Sequence, residues 1–76
     1  ILDDEVVLLL YKCSSLKSLI LRSNRLTNQV TKYFSINHSL TALDLSFNYL
    51  TTKSLIDLSK NTTILALNLS WNYLHD

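Results

Sequence analysis

The feature that most constrains this chain is an internal repeat with a period of 24 residues. Three segments align without gaps, and each begins 24 residues after the previous one: LKSLILRSNRL (16–26), LTALDLSFNYL (40–50) and ILALNLSWNYL (64–74). All three fit the pattern L-x-x-L-x-L-x-x-N-x-L, with Ile64 as a conservative change at the first position. A fixed period of this length is typical of folds that stack one structural unit on the next.

The repeat register divides the 76 residues into four parts within one domain. These are a partial repeat at 1–15, complete repeats at 16–39 and 40–63, and a partial repeat at 64–76. The motifs are joined by connecting segments of equal length at 3–15, 27–39 and 51–63. The sequence therefore reads as a fragment that begins and ends within a repeat, and we expect further repeats of the same chain on both sides.

The motif itself predicts a short strand followed by a bend. Leucines two residues apart, such as Leu43 and Leu45, point to one side of a strand, and we expect that side to face inward. The outward positions then read Ser18, Ile20 and Arg22 in the first motif, Ala42, Asp44 and Ser46 in the second, and Ala66, Asn68 and Ser70 in the third.

An asparagine stands at the bend of each motif: Asn24, Asn48 and Asn72. We call each 24-residue repeat, with its strand and its helix, a coil. A side-chain amide offers two donors and an acceptor, which suits the backbone groups of its own coil and of the neighbouring one. The alternative is that each asparagine is only a turn former, which fits one copy better than three in register. We therefore predict that these residues form a stacked structural column, the asparagine ladder.

The connecting segments predict short helices on the opposite side of each coil. Val7, Thr31 and Leu55 align, and Leu10, Phe34 and Leu58 align three residues later, which gives an apolar helix face. Thr27 and Thr51 are the predicted N-caps, and Asp3 is their equivalent in the first coil. The predicted core of the middle repeat consists of Leu40, Leu43, Leu45, Leu50, Leu55 and Leu58. Cys13, Asn37 and Asn61 align where each helix returns to the strand, and we interpret them as structural.

Composition excludes several functional classes. The chain has no glycine and no proline, so it lacks Gly-rich phosphate-binding loops and the G-x-S-x-G nucleophile motif. A net charge of +1 without clustering of either sign gives no field for nucleic acid or an anionic membrane. The longest apolar run, 6–10, is far shorter than the ~20 residues of a membrane span. A single cysteine excludes an internal disulfide.

The residues that could carry chemistry do not form a recognisable site. His38 and His75 fall at unrelated positions of the repeat, which disfavours a zinc site. Asp44 and Asp57 lie on the strand side and the helix side of one coil, so paired-carboxylate catalysis is not supported. We expect no catalytic residue, no cofactor and no metal within this chain.

The repeated motif resembles the leucine-rich repeat family, and the resemblance spans all 76 residues. The connecting segments with their helical pattern are similar to the ribonuclease-inhibitor-like type, with 24-residue repeats as seen in bacterial effector proteins. The glycine often found after the motif in that type is absent, and Thr27, Asn28, Thr51 and Thr52 occupy the region. The resemblance implies an α/β fold, a right-handed β-α superhelix or solenoid with short parallel strands on the concave face and short helices on the convex face.

The resemblance also implies a protein–protein interaction scaffold that binds a partner protein through the concave strand face. The outward positions and two aromatic columns beside them supply the candidate partner-binding residues: Arg22, Arg25, Asp44, Phe47, Tyr49, Asn68, Trp71 and Tyr73. Tyrosine, tryptophan and arginine are enriched in interface hot spots. The alternative for the aromatic rings is a structural one, in which rings of neighbouring coils stack on each other.

Two other functions are kept as alternatives. The chain can be the recognition or autoinhibitory arm of a larger enzyme whose catalytic domain lies elsewhere, or part of an extracellular receptor. The lone cysteine argues against the receptor, where disulfide-bonded caps are expected. We expect a cytoplasmic protein, or one secreted into a host cell's cytoplasm if it is a bacterial effector, with a protein partner and neither nucleic acid nor membrane.

Overall fold

The computed structural model describes residues 3–5, 15–37 and 39–74. Three strands alternate with two helices along these ranges: β1 (Ser18–Ile20), α1 (Asn28–Ile36), β2 (Ala42–Asp44), α2 (Thr52–Leu58) and β3 (Ala66–Asn68). This alternation is an α/β repeat fold, as the sequence predicted. The predictions made for Val7, Leu10, Cys13, His38 and His75 concern residues outside the described ranges.

The three strands form one parallel sheet in the order β1-β2-β3. Leu19 pairs with Leu43, and Leu43 pairs with Leu67, so the register of the sheet equals the 24-residue period of the sequence. Among the residues that the structure describes, the parallel pairing continues beyond the strands in one bridge, between Thr51 and Tyr73. Each motif therefore places its side chains directly beside those of the same position in the next motif.

Helix α1 begins at the predicted N-cap. Thr27 has extended backbone angles, and its side chain accepts a hydrogen bond of 3.2 Å from Gln29 N. The prediction for Thr51 is only half right, because Thr51 occupies the N-cap position of α2 but makes no capping bond with its side chain. The Thr51 hydroxyl instead accepts a bond from Asn28 Nδ2, which ties the start of α2 to the start of α1.

The core lies between the sheet and the two helices, which pack side by side. Its buried apolar residues come from both coils and from α1: Leu21, Leu26, Val30, Phe34, Leu40, Leu43, Leu45, Leu50 and Leu58. Five of the six core residues predicted for the middle repeat are among them. The burial of Val30 was not predicted from the sequence.

The prediction that Leu55 belongs to the core is wrong, because its side chain is 41% exposed. Thr31 holds the same place one coil earlier and is fully buried, with its hydroxyl 3.1 Å from Asp57 of α2. In the described part of the chain nothing packs on the far side of α2, so Leu55 is left uncovered. Leu67 on β3 also faces inward and is 43% exposed, because within the described ranges no coil packs beyond β3. Leu43, on the middle strand, is 2% exposed.

The buried polar side chains are all hydrogen-bonded. They are Thr31, Ser46, Asn48 and Ser54, and within the described ranges no buried side-chain nitrogen or oxygen lacks a partner. Ser54 donates to Asn28 Oδ1, which connects the two helices through their first turns. Neither helix of the described residues combines the length and hydropathy that a membrane span needs.

Candidate functional site

The candidate interaction surface is held in place by the bend after each strand, and Asn48 shows how the bend is fixed. Its Nδ2 donates to the backbone oxygens of Leu21 at 3.0 Å, Leu45 at 2.9 Å and Ser46 at 3.1 Å. Its Oδ1 accepts from Leu26 N at 3.0 Å. The side chain therefore bonds both to its own coil and to the coil before it.

Asn72 repeats these contacts one coil later. Its Oδ1 accepts from the backbone nitrogens of Asn48 at 3.1 Å and Leu50 at 2.9 Å, and its Nδ2 donates to Leu45 O at 2.9 Å. In the first motif, Asn24 Nδ2 lies 2.9 Å from Leu21 O. Both coil junctions between the three motifs are thus bridged by the amide of an asparagine.

The residue before each of these asparagines has a left-handed backbone, which sequence reasoning missed. The φ angle is 61° at Ser23, 57° at Phe47 and 59° at Trp71. Only glycine adopts this region freely, and for other residues this conformation costs about 1–2 kcal/mol of free energy. Backbone hydrogen bonds at the same bend offset this cost, including those from Ser23 N to Ser46 O and from Phe47 N to Ser70 O, each 3.0 Å long.

The left-handed bend presents bulky side chains beside the sheet. Phe47, Trp71, Tyr49 and Tyr73 form two stacked pairs that we call the aromatic ridge. The Phe47 and Trp71 rings have centroids 5.6 Å apart and planes 15° apart, and the Tyr49 and Tyr73 rings have centroids 6.0 Å apart with the same angle. Arg22 extends the first pair, because its guanidinium carbon lies 4.8 Å from the centroid of Phe47.

The rings of the aromatic ridge stack and are still accessible. Trp71 is 73% exposed and Tyr73 is 55% exposed, while Phe47 and Tyr49 remain 38% and 47% exposed. Stacking at these distances contributes about 0.5–1.5 kcal/mol for each pair. The structural interpretation of the rings and the binding interpretation are therefore compatible in the same geometry. Arg25 is exposed at the position of the ridge tyrosines one coil earlier, and no ring contact of Arg25 is found among the described residues.

The outward side chains of the three strands surround a shallow hollow of about 290 Å³, which we call the strand-face groove. Two rows of outward side chains line it: the first row is Ser18, Ala42 and Ala66, and the second row is Ile20, Asp44 and Asn68. The prediction that Ser46 also faces outward is wrong, because Ser46 is 1% exposed. Its hydroxyl turns back along the chain and donates to Asp44 Oδ1 at 2.7 Å.

Asp44 is the charged residue of the strand-face groove. Its Oδ1 accepts the Ser46 hydroxyl at 2.7 Å and Ser46 N at 3.0 Å. These two bonds, the hydroxyl first, lower the pKa of the Asp44 carboxyl from its ordinary value of 3.8, with a smaller contribution from the charge of Arg22 against the opposing effect of burial. The carboxylate is therefore ionised at neutral pH and held in a fixed direction.

Two further columns of polar side chains lie at the two ends of the helices, and the sequence pattern indicated only one of them. Asp4 accepts from Thr27 N at 2.9 Å and from Thr27 Oγ1 at 2.6 Å, and Asn28 Oδ1 accepts from Thr51 N at 3.0 Å. At the opposite end of the helices, Asn61 Nδ2 donates to the backbone oxygens of Phe34 at 2.8 Å and Asn37 at 2.9 Å. The alignment of Asn37 with Asn61 was the available signal for the latter column.

A second hollow, on the polar surface of the described residues, carries no recognisable site. A hollow of about 380 Å³ lies between the starts of the helices and Tyr49, where Lys32 and Lys53 are accompanied by Asp57. Its opposing charges do not select a ligand class. Among residues 3–5, 15–37 and 39–74, no cluster of three or more His, Cys, Asp or Glu side chains is arranged to hold a metal ion.

Comparison with known proteins identifies the repeat. A family model described as "Leucine rich repeat" matches residues 14–74. No curated protein matches the chain. Domains of this type generally mediate protein–protein interaction and are typically not catalytic. Because the match covers most of the sequence and all three motifs, the chain belongs to the leucine-rich repeat family.

Proposed function

We propose that this chain binds a partner protein through the strand-face groove and the adjacent aromatic ridge. The observation that carries the proposal is the ridge, in which four aromatic side chains stand in register beside the groove and keep 38–73% of their surface exposed. Single exposed apolar residues are ordinary on protein surfaces. Four exposed rings in two stacked pairs, flanked by Arg22, have the composition found at the centre of protein interfaces.

The geometry favours an ordered binding surface over a flexible one. Each ring of the aromatic ridge is held by its stacked neighbour, and the bends that carry Phe47 and Trp71 are fixed by the asparagine ladder. A partner therefore pays little conformational entropy on the side of this chain when it binds. The near-neutral charge of +1 supports a protein partner over nucleic acid or an anionic membrane.

We further infer that the coils belong to a right-handed solenoid with the strands on its concave face and the helices on its convex face. The exposure of Leu55 and Leu67 supports further repeats after β3, since the equivalent residues Thr31 and Leu43 are buried by the next coil. The period and the helical connections support the ribonuclease-inhibitor-like type found in bacterial effectors. The single cysteine supports a cytoplasmic location, which for an effector is that of a host cell.

The test of the proposed function compares two exposed apolar residues on opposite sides of the chain. Trp71→Ala removes the most exposed ring of the aromatic ridge, and Ile56→Ala removes an apolar side chain of α2 that is 58% exposed. The partner is first isolated by affinity capture on the wild-type protein, and its Kd for each variant is then measured by isothermal titration calorimetry.

We expect Trp71→Ala to weaken binding by about tenfold or more, which is the size of a hot-spot effect. Ile56→Ala should leave the Kd unchanged, and thermal melts of both variants separate binding from folding. A lower melting temperature of Trp71→Ala with an unchanged Kd would assign the ridge to structure alone. A weaker Kd for Ile56→Ala would move the binding surface to the helices.

A further inference from the structure

Asp44 is the one charged residue among the described residues that line the strand-face groove. The floor of the groove is made of the small side chains of Ser18, Ala42 and Ala66, which stand side by side on neighbouring strands. Strands are spaced about 4.8 Å apart, so this floor is roughly 10 Å wide from β1 to β3. The second row places the carboxylate of Asp44 between the hydrocarbon of Ile20 and the amide of Asn68.

The charge of Asp44 is not required for the backbone turn in which Asp44 takes part. Asn68 makes the same turn one coil later, where its Oδ1 accepts Ser70 N at 3.0 Å and the Ser70 hydroxyl at 2.7 Å. The distances for Asp44 and Ser46 are also 3.0 Å and 2.7 Å. An uncharged amide therefore forms the same turn, and the negative charge of Asp44 is also available to a ligand.

The second oxygen of Asp44 is open to a ligand. Both of its hydrogen bonds end on Oδ1, and within the described ranges no donor reaches Oδ2. Arg22 is the nearby cation, but its guanidinium lies over the Phe47 ring at 4.8 Å and forms no ion pair with Asp44 in this part of the chain. A carboxylate with a fixed direction and a free oxygen is a preformed acceptor for a cationic hydrogen-bond donor.

We propose that the strand-face groove binds a lysine or arginine side chain on an extended segment of the partner protein, with Asp44 as its counter-ion. The aliphatic stem of such a side chain packs on the small-residue floor and on Ile20, which is 71% exposed. Its charged head meets Asp44, beside the uncharged side chain of Asn68. This inference rests on the proposed function, because it names the chemistry that the partner presents to the same surface.

The structure offers variants that change the charge and preserve the turn. Asp44→Asn copies the arrangement of Asn68 and Ser70, so the fold is expected to be retained. Asn68→Asp is the reverse change and places a second carboxylate in the groove. Glu5→Gln removes one negative charge from an exposed position near the start of the chain and serves as the matched control.

The experiment is selection of a displayed library of random dodecapeptides on the wild-type protein and on these three variants. We expect wild-type selections to enrich lysine or arginine at one shared peptide position, and Glu5→Gln selections to do the same. Asp44→Asn should abolish that preference, and Asn68→Asp should strengthen it. For one enriched peptide, replacement of its basic residue by glutamine should weaken binding to the wild type about fivefold and leave binding to Asp44→Asn unchanged.

The outcomes separate this inference from the proposed function. Enriched peptides without a basic preference, or with the same preference on Asp44→Asn, overturn the inference and leave a protein-binding surface in place. A library that yields no peptide on the wild-type protein also overturns it. In that case the Kd of the natural partner for Trp71→Ala decides the proposed function independently.

Discussion

Replacing Asn48 with alanine should lower the free energy of unfolding by about 2–4 kcal/mol. The side chain is 3% exposed, so water does not take over its hydrogen bonds. Each backbone oxygen that Asn48 Nδ2 contacts keeps a second donor after the change. These remaining bonds are Asn24 Nδ2 to Leu21 O at 2.9 Å, Asn72 Nδ2 to Leu45 O at 2.9 Å, and Ser23 N to Ser46 O at 3.0 Å.

The larger part of the cost falls on Leu26 N, which bonds to Asn48 Oδ1 and belongs to a fully buried residue. An orphaned buried donor costs about 1–3 kcal/mol. The lost amide bonds and the small void left by the side chain add about 1 kcal/mol. The acceptor atom of Asn48 is therefore worth more to the fold than its donor.

Equilibrium urea unfolding followed by circular dichroism measures this loss, with Asn48→Asp as the paired variant. Asp keeps the acceptor for Leu26 N but sets a negative charge against three carbonyl oxygens, so the pKa of the new carboxyl rises. Its folded state should regain stability as the pH falls through that raised pKa. A cost below about 1 kcal/mol for Asn48→Ala would refute the reasoning, since a buried orphaned donor alone exceeds it.

Three further predictions follow from burial, backbone angle and charge. Leu43→Ala should lower the free energy of unfolding by about 2–5 kcal/mol because Leu43 is 2% exposed, and Leu67→Ala should lower it by less than half as much because Leu67 is 43% exposed. Urea unfolding of the two variants compares these losses, and equal losses would contradict the packing. Ser23→Gly should raise the midpoint of thermal unfolding by relieving a φ of 61°, with a gain of up to about 1 kcal/mol, and a lower midpoint would show that the bend is unstrained. Above the ordinary pKa of 3.8, wild-type Asp44 should give a higher free energy of unfolding than Asp44→Asn, and this difference should vanish as the pH falls through the lowered pKa of the folded state. Urea unfolding across that pH range measures the difference, and a difference that grows in acid would contradict a lowered pKa.

The parts of the fold that repeat were predictable from the sequence. The strand register equals the motif spacing, so Leu19, Leu43 and Leu67 stand side by side as their positions required. The N-cap at Thr27 and the helix that follows it were readable from local side-chain chemistry. These features depend on residues close in sequence or on one period, and a single sequence contains that information.

The remaining features depend on contacts between coils that no local pattern reports. Leu55 has the residue type of a core position, yet its burial is decided by whatever packs beyond α2. The alternation of the strand predicted that Ser46 faces outward, but Ser46 is buried and its hydroxyl donates to Asp44. No glycine marks the left-handed φ angle at Phe47 in the sequence, because hydrogen bonds to the neighbouring coil impose that angle. The candidate site was therefore predictable as a set of positions and not as a geometry.

The sharing of backbone groups by the asparagine ladder has a consequence for how the chain opens. When the third coil detaches, the Asn72 side chain leaves with it, and the amides of Asn48 and Leu50 lose their acceptor. Opening of one coil therefore exposes amides that belong to the coil before it. Hydrogen exchange at Leu50 thus reports the detachment of a segment more than twenty residues away, and fraying moves inward one coil at a time.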